Sequence, residues 1–87
     1  MVKEIQVGEV IKFFAKPSVA AVKVTSGEIA IGNKLKFVGH TTDFEQKVES
    51  MQIENQPVER AVPGDLVGIK VGERVRQKDK VFKIVED

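Results

Sequence analysis

Asp43-Phe44-Glu45-Gln46-Lys47-Val48-Glu49-Ser50-Met51-Gln52-Ile53 is the stretch on which the fold turns. Apolar and polar residues alternate through it, the period of a strand with one buried face. The alternation changes parity part-way. Phe44 and Val48 fall on one parity, Met51 and Ile53 on the other. Because strand side chains have a period of two, a one-residue slip sends every later residue to the opposite face. One uniform strand therefore cannot bury all four. A β-bulge near Glu49-Ser50 returns both pairs to one face and bends the strand, as at a barrel corner. Alternatively the strand ends near Val48 and a second one begins. Both remain open at this point.

The same period recurs outward in both directions. Toward the N-terminus, Lys34 to Val38 places Leu35 and Phe37 on one side and Lys34 and Lys36 on the other, after a turn at Ile31-Gly32-Asn33. Val19 to Val24 places Ala20, Val22 and Val24 together, with Lys23 pointing away. Thr25-Ser26-Gly27 turns the chain, and Lys16-Pro17-Ser18 breaks it from an earlier run. In that run Ile5, Val7, Ile11 and Phe13 share a parity and are expected to be buried. Toward the C-terminus, 54–62 reads as a polar connection, and Pro63-Gly64 suits the centre of a type II turn. Val67, Ile69 and Val71 then share a face, 72–79 is charged connection, and Lys80 to Val85 is the last strand. Six or seven short strands with a turn signal about every ten residues predict an all-β domain, a small closed barrel or a sandwich. Closure also removes the exposed edges that invite aggregation.

Eighty-seven residues make one domain, 1–87, with one core and no room for a deep cleft. No cysteine is present, so disulfides, thiolate metal sites and thiol nucleophiles are excluded. The start, Met1-Val2-Lys3-Glu4, lacks the apolar stretch of a signal peptide. No window approaches the ~20 apolar residues of a membrane-spanning helix. A cytoplasmic location and no membrane partner are expected. The net charge is only +1, but it is unevenly spread: six Lys against three Glu in 1–42, two bases against six acids in 43–65, six bases against four acids in 66–87.

The chemistry of a catalyst is sparse. No Gly-x-x-x-x-Gly-Lys-Ser/Thr run offers a phosphate cradle, so nucleotide binding is not expected. His40 is the single histidine, and beside Thr41 and Thr42 it reads as an exposed loop residue among turn-capping hydroxyls. His40 with Asp43 supplies too few ligands for a metal. No cofactor and no enzymatic activity are expected. What remains is an outer surface. Lys23, Lys34 and Lys36 would cluster if their strands pair, and could then neutralise phosphates. Against this stands a solvated, lysine-rich exterior that only keeps the barrel soluble. A second basic group, Arg74, Arg76, Lys78, Lys80 and Lys83, is diluted by Glu73 and Asp79. With no Trp or Tyr, aromatic platforms for bases reduce to phenylalanines, of which Phe14 and Phe82 are the outward candidates. A protein-docking role would draw on the acidic 43–65 segment with Pro57 and Val58 exposed.

Two segments resemble the second domain of translational GTPases such as elongation factor Tu. One is Val24-Thr25-Ser26-Gly27-Glu28-Ile29-Ala30-Ile31-Gly32-Asn33-Lys34-Leu35. The other is Val48-Glu49-Ser50-Met51-Gln52-Ile53, followed by Pro63-Gly64-Asp65-Leu66-Val67-Gly68. The ending Val75-Arg76-Gln77-Lys78-Asp79-Lys80-Val81 is similar too. The resemblance implies a six-stranded Greek-key barrel that binds RNA, tRNA or another translation component. By position it implies roles for Thr25, Ser26, Gly27 and Gln52 near the 3′ end of tRNA, although the family has charged residues before the hairpin glycine and a glutamate at the position of Gln52. His40 to Glu49 is similar to a barrel that ends some bacterial collagenase-like peptidases, where it is an accessory module.

Overall fold

The computed structural model describes residues 2–86 and resolves the parity switch. β5 (Asp43–Lys47) and β6 (Met51–Ile53) are separate strands, and residues 48–50 turn the corner between them. Val48 and Met51 are both buried in one core, so the irregular corner restores the common face. The other strands are β1 (Val2–Phe14), β2 (Val19–Val24), β3 (Ile29–Ala30), β4 (Lys34–Val38), β7 (Gln56–Pro57), β8 (Arg60–Ala61), β9 (Leu66–Lys70) and β10 (Lys80–Glu86). No described residue is helical.

One sheet runs in the order β5-β4-β10-β1-β2-β9-β6-β7. Its end strands are β5 and the short β7, but β5 runs through the corner at 48–50 directly into β6, which pairs with β9, so the chain itself links the two sides of the sheet into a ring. The ring has six walls: β1, β2, β9, the bent β5/β6 unit, β4 and β10. β4, β5/β6 and β9 follow one another as a meander, and β2 lies beside β9 at its far side, a Greek-key arrangement. The Gln46 side chain stitches the seam. Its Nε2 donates to the Lys70 carbonyl at 2.7 Å, and its Oε1 accepts from the Gly72 N–H at 2.8 Å. The small ribbon β3–β8 packs Ile29 and Ala61 into the core.

The interior is filled by side chains, as a barrel of this size requires. Ala20, Val22, Val24, Leu35, Phe37, Val67, Ile69 and Val71 are all buried on their expected parity. Phe37 stacks on half-buried Phe44 with centroids 5.1 Å apart and rings inclined by 17°, which contributes about 1 kcal/mol beyond area burial. The Pro63-Gly64 turn forms as expected: Asp65 N–H donates to the Val62 carbonyl at 3.0 Å, and Gly64 has φ 98°.

β1 departs from its expected parity. Val7 and Val10 are fully buried, Ile5 is 43% exposed and Ile11 is half-buried. Register shifts between Gln6 and Gly8 against β10, and between Val10 and Lys12 against β2, re-aim the side chains. Segment 54–62 is also more than a polar connection. It carries β7 and β8, and Val58 packs against the core rather than standing exposed, while Pro57 is exposed. Glu54 and Asn55, with φ 50° and 64°, form the two-residue turn of the β6–β7 hairpin. Both central residues lie in the left-handed region, as a type I′ turn demands.

Candidate functional site

The lysines do not meet. β2, which carries Lys23, and β4, which carries Lys34 and Lys36, are separated by β1 and β10. Three inter-strand steps place them about 14 Å apart around the wall. Each also has an acidic neighbour. Lys34 pairs with Glu45 at 3.1 Å, and Lys36 reaches across β10 to Glu4 at 3.4 Å. Lys23 lies directly opposite Glu9, which lies opposite Lys80 on its other side. The result is a mixed-charge exterior, not a phosphate clamp.

Thr25, Ser26 and Gly27 are exposed, but the loop is anchored by its backbone. The amides of Thr25 and Ser26 both donate to the Val7 carbonyl, at 2.8 and 3.3 Å. The bond from Thr25 continues the β1–β2 register by one residue beyond Gly8 and Val24. Gly27 adopts φ 64°, a conformation glycine takes without steric cost. Gln52 belongs elsewhere. It lies on β6 opposite Gly68, which lies opposite Ala21. Thr25 is four residues further along β2 and two strands across, roughly 16 Å away. The four residues do not form one pocket.

In the second basic group, Lys83 donates to the Glu28 carbonyl at 2.9 Å. Asp79 is buried and structural. Its Oδ2 accepts from the Arg76 N–H at 2.7 Å, closing the turn that holds Lys78 at φ 76°. His40 is exposed at the tip of the β4–β5 hairpin, whose Gly39 and Thr42 exchange backbone hydrogen bonds. Among the described residues no group of His, Cys, Asp and Glu is arranged to hold a metal ion.

A groove of about 640 Å³ lies on the outside of β2, β9 and β6. Phe14, Pro17, Val19, Ala21 and Leu66 line it on one side, and Gln52, Glu54 and Asn55 on the other. Phe14 is 43% exposed and Leu66 55%. The Lys12 ammonium lies 5.1 Å from the Phe14 ring centroid. Lys70 Nζ donates to the Pro17 carbonyl at 2.7 Å, fixing the β1–β2 turn against β9. Of the residues singled out from the sequence, Gln52 and the outward candidate Phe14 lie here, and Lys23, Thr25, Ser26, Gly27, Lys34 and Lys36 do not line it. Leu66 was legible as an odd apolar residue out of phase with Val67, Ile69 and Val71, which is the signal that would have found the groove.

A model of the family described as elongation factor Tu domain 2 matches residues 18–78. Two collagenases of Porphyromonas gingivalis are 40% identical over 82 residues and 41% identical over 78, spanning 93% and 88% of this chain but 20% and 22% of the collagenases. An uncharacterised protease of Methanocaldococcus jannaschii is 36% identical over 85 residues, 97% of this chain and 21% of the protease. The chain thus spans about a fifth of the length of these curated relatives. Among solved structures, the C-terminal domain of a Geobacillus thermoleovorans protein assigned as a U32 peptidase superposes with a TM-score of 0.82 at 22% identity, covering 92% of this chain and 91% of that one. Its selenomethionine variant gives 0.82 at 20% identity, covering 87% and 95%. At these identities the likeness is one of fold.

Proposed function

The chain belongs to the elongation factor Tu domain 2 family, and on that premise we propose that it is a non-catalytic accessory module of the collagenase and U32-peptidase type, which binds beside a catalytic polypeptide. The observation that carries this is the match to the collagenases: about nine-tenths of this chain aligns at 40% identity with only a fifth of a much longer protein. The outer surface offers a groove in which a partner polypeptide could be met. A domain exchange tests it. This chain replaces the matching fifth of the Porphyromonas gingivalis collagenase, beside a version lacking that fifth. The chimera is expected to keep the collagen-degrading activity that the shortened version loses. A folded but inactive chimera, or a shortened version as active as the intact protein, refutes the proposal.

A second reading, binding of RNA, tRNA or a ribosome-associated protein, draws on one specific feature. Phe14 presents a half-exposed ring with the Lys12 ammonium against it, beside Gln52 in the same groove. An aromatic face next to a cation is how single-stranded nucleic acid is stacked. The contribution of Lys23, Lys34 and Lys36 is reduced by Glu9, Glu45 and Glu4. Titration with tRNA separates the readings: phosphate contacts give affinity that falls steeply with salt, and an absence of binding at low salt removes this one.

A further inference from the structure

We propose that the groove over β2, β9 and β6 receives an extended, uncharged stretch of polypeptide that seats one apolar side chain between Phe14 and Leu66. The inference rests on the accessory-module proposal and adds the site and the kind of ligand.

The first support is the groove's apolar side. Val19 and Ala21 face outward from β2, Leu66 faces outward from β9, and Phe14 and Pro17 stand at the end of β1 and the turn after it. Phe14 and Leu66 are among the most exposed large hydrophobics of the described residues, and they share one concavity. Burying such side chains against a partner is the usual source of affinity in a docking groove.

The second support is an open main-chain edge inside the groove. β9 pairs with β2 along its whole length, but with β6 only at Ile69 and Gly68. The chain leaves β9 at the Glu54-Asn55 turn. Backbone bonds beside the ladders fix which way each residue points. Val24 N–H donates to Asp65 O, and Val71 N–H to Ser18 O, so odd-numbered residues here bond toward β2. Lys70 N–H donates to Ser50 O, so even-numbered ones bond toward β6. Leu66 therefore turns its N–H and C=O to the side β6 has vacated, and no described residue opposite it there completes the ladder. An extended peptide laid along that edge gains main-chain hydrogen bonds, with alternate side chains reaching the groove, as in strand addition. The side-chain amides of Gln52 and Asn55 stand on the same rim.

The third support is charge. Glu54 is an acid on one rim, Lys70 is bonded to the Pro17 carbonyl, and Lys12 lies over Phe14. The residues lining the groove include one carboxylate, Glu54, and one ammonium group, Lys70, so their formal charges cancel, which suits an uncharged ligand better than a polyphosphate backbone.

The test uses the whole 87-residue chain, labelled for amide NMR and titrated with the blocked peptide acetyl-Thr-Val-Leu-Val-Thr-amide. A parallel titration uses a short oligoadenylate. Saturable shifts at Leu66, Gly68, Gln52 and Asn55 with the peptide are expected. Leu66→Asp and, separately, Phe14→Ser are each expected to weaken binding roughly tenfold or more. Both positions are solvent-exposed and lie on different elements, so the loss of one variant to misfolding leaves the other as the test. The proposal is overturned by peptide shifts confined to 25–27 or β4, by no peptide shifts, or by oligoadenylate alone saturating the groove. An active chimera with a peptide-silent groove refutes this proposal alone. A peptide-binding groove with an inactive chimera refutes the accessory-module proposal alone.

Discussion

Replacing Gln46 by alanine tests whether the seam between β5 and β9 closes the barrel. Gln46 is the one described side chain that bridges these walls by hydrogen bonds, through Lys70 O at 2.7 Å and Gly72 N–H at 2.8 Å. A neutral intramolecular hydrogen bond contributes about 0.5–1.5 kcal/mol net. The residue is half-buried, so water reaches the vacated groups and the lower part of that range applies. Losing both bonds is expected to cost about 1–2 kcal/mol, a fall in Tm of roughly 5–15 °C for a domain of this size. Gln46→Glu sharpens the test. Its carboxylate still accepts from Gly72 but sets an oxygen against the Lys70 carbonyl, where the amide had donated. At neutral pH it is expected to be no more stable than the alanine variant. The chain has no Trp or Tyr, so unfolding is followed by far-UV circular dichroism in urea and by calorimetry. An unchanged m-value shows that stability has moved and not the unfolded state. Faster hydrogen exchange at the Gly72 amide locates the loss. The reasoning fails if Gln46→Ala stays within about 0.3 kcal/mol of the parent, or if Gln46→Glu matches the parent.

Gly39→Ala places a methyl group onto the buried Asp79 carboxylate and is expected to destabilise by about 2–4 kcal/mol; chemical denaturation measures it. Glu54→Asn together with Asn55→Gly suits the left-handed pair of the β6–β7 turn and is expected to raise stability by about 0.5–1 kcal/mol, read as a higher Tm. Phe37→Ala removes a fully buried ring and its stacking on Phe44; it is expected to cost about 3–5 kcal/mol, enough to leave much of the chain unfolded by circular dichroism. Lys36→Gln breaks a partly exposed pair with Glu4 and is expected to change stability by less than about 0.5 kcal/mol, with larger losses arguing for a cooperative charge network.

What was legible in the sequence is what local period encodes. Leu35 and Phe37 alternate with Lys34 and Lys36, and Ala20, Val22 and Val24 with Lys23, because each strand lies in a sheet with one dry face. Pro63-Gly64 was legible because one backbone geometry suits that pair. β1 misled because its bulges break the period without a break in apolar residues. The hint was Gly8, where a Cβ would overlap the Lys23 carbonyl of the neighbouring strand, as glycine within a strand often marks. The Glu54-Asn55 turn was hidden because it lacks the glycine that usually announces such geometry. The lysine cluster failed for a different reason. Which residues share an outer face depends on the order of strands around the ring, and period says nothing about that order.

The ring order also bears on why family membership does not transfer a binding site residue by residue. A closed, filled barrel has no interior to offer, so any ligand must meet its outside. The outside of β1, β4 and β10 is a lattice of opposed charges, with Lys36 tied to Glu4, Lys34 to Glu45, and Glu9 set between Lys23 and Lys80. The 25–27 loop has a structural task, since the Thr25 and Ser26 amides bond the Val7 carbonyl and tie the loop to β1. The side over β2, β9 and β6 differs from both. There the short β6 withdraws from β9, apolar side chains stay uncovered, and Gln52 is carried along by the same strand. The bend that closes the barrel at 48–50 is what leads β6 away from the β5 ladder and onto β9. Closure of the fold and opening of the groove therefore share one cause.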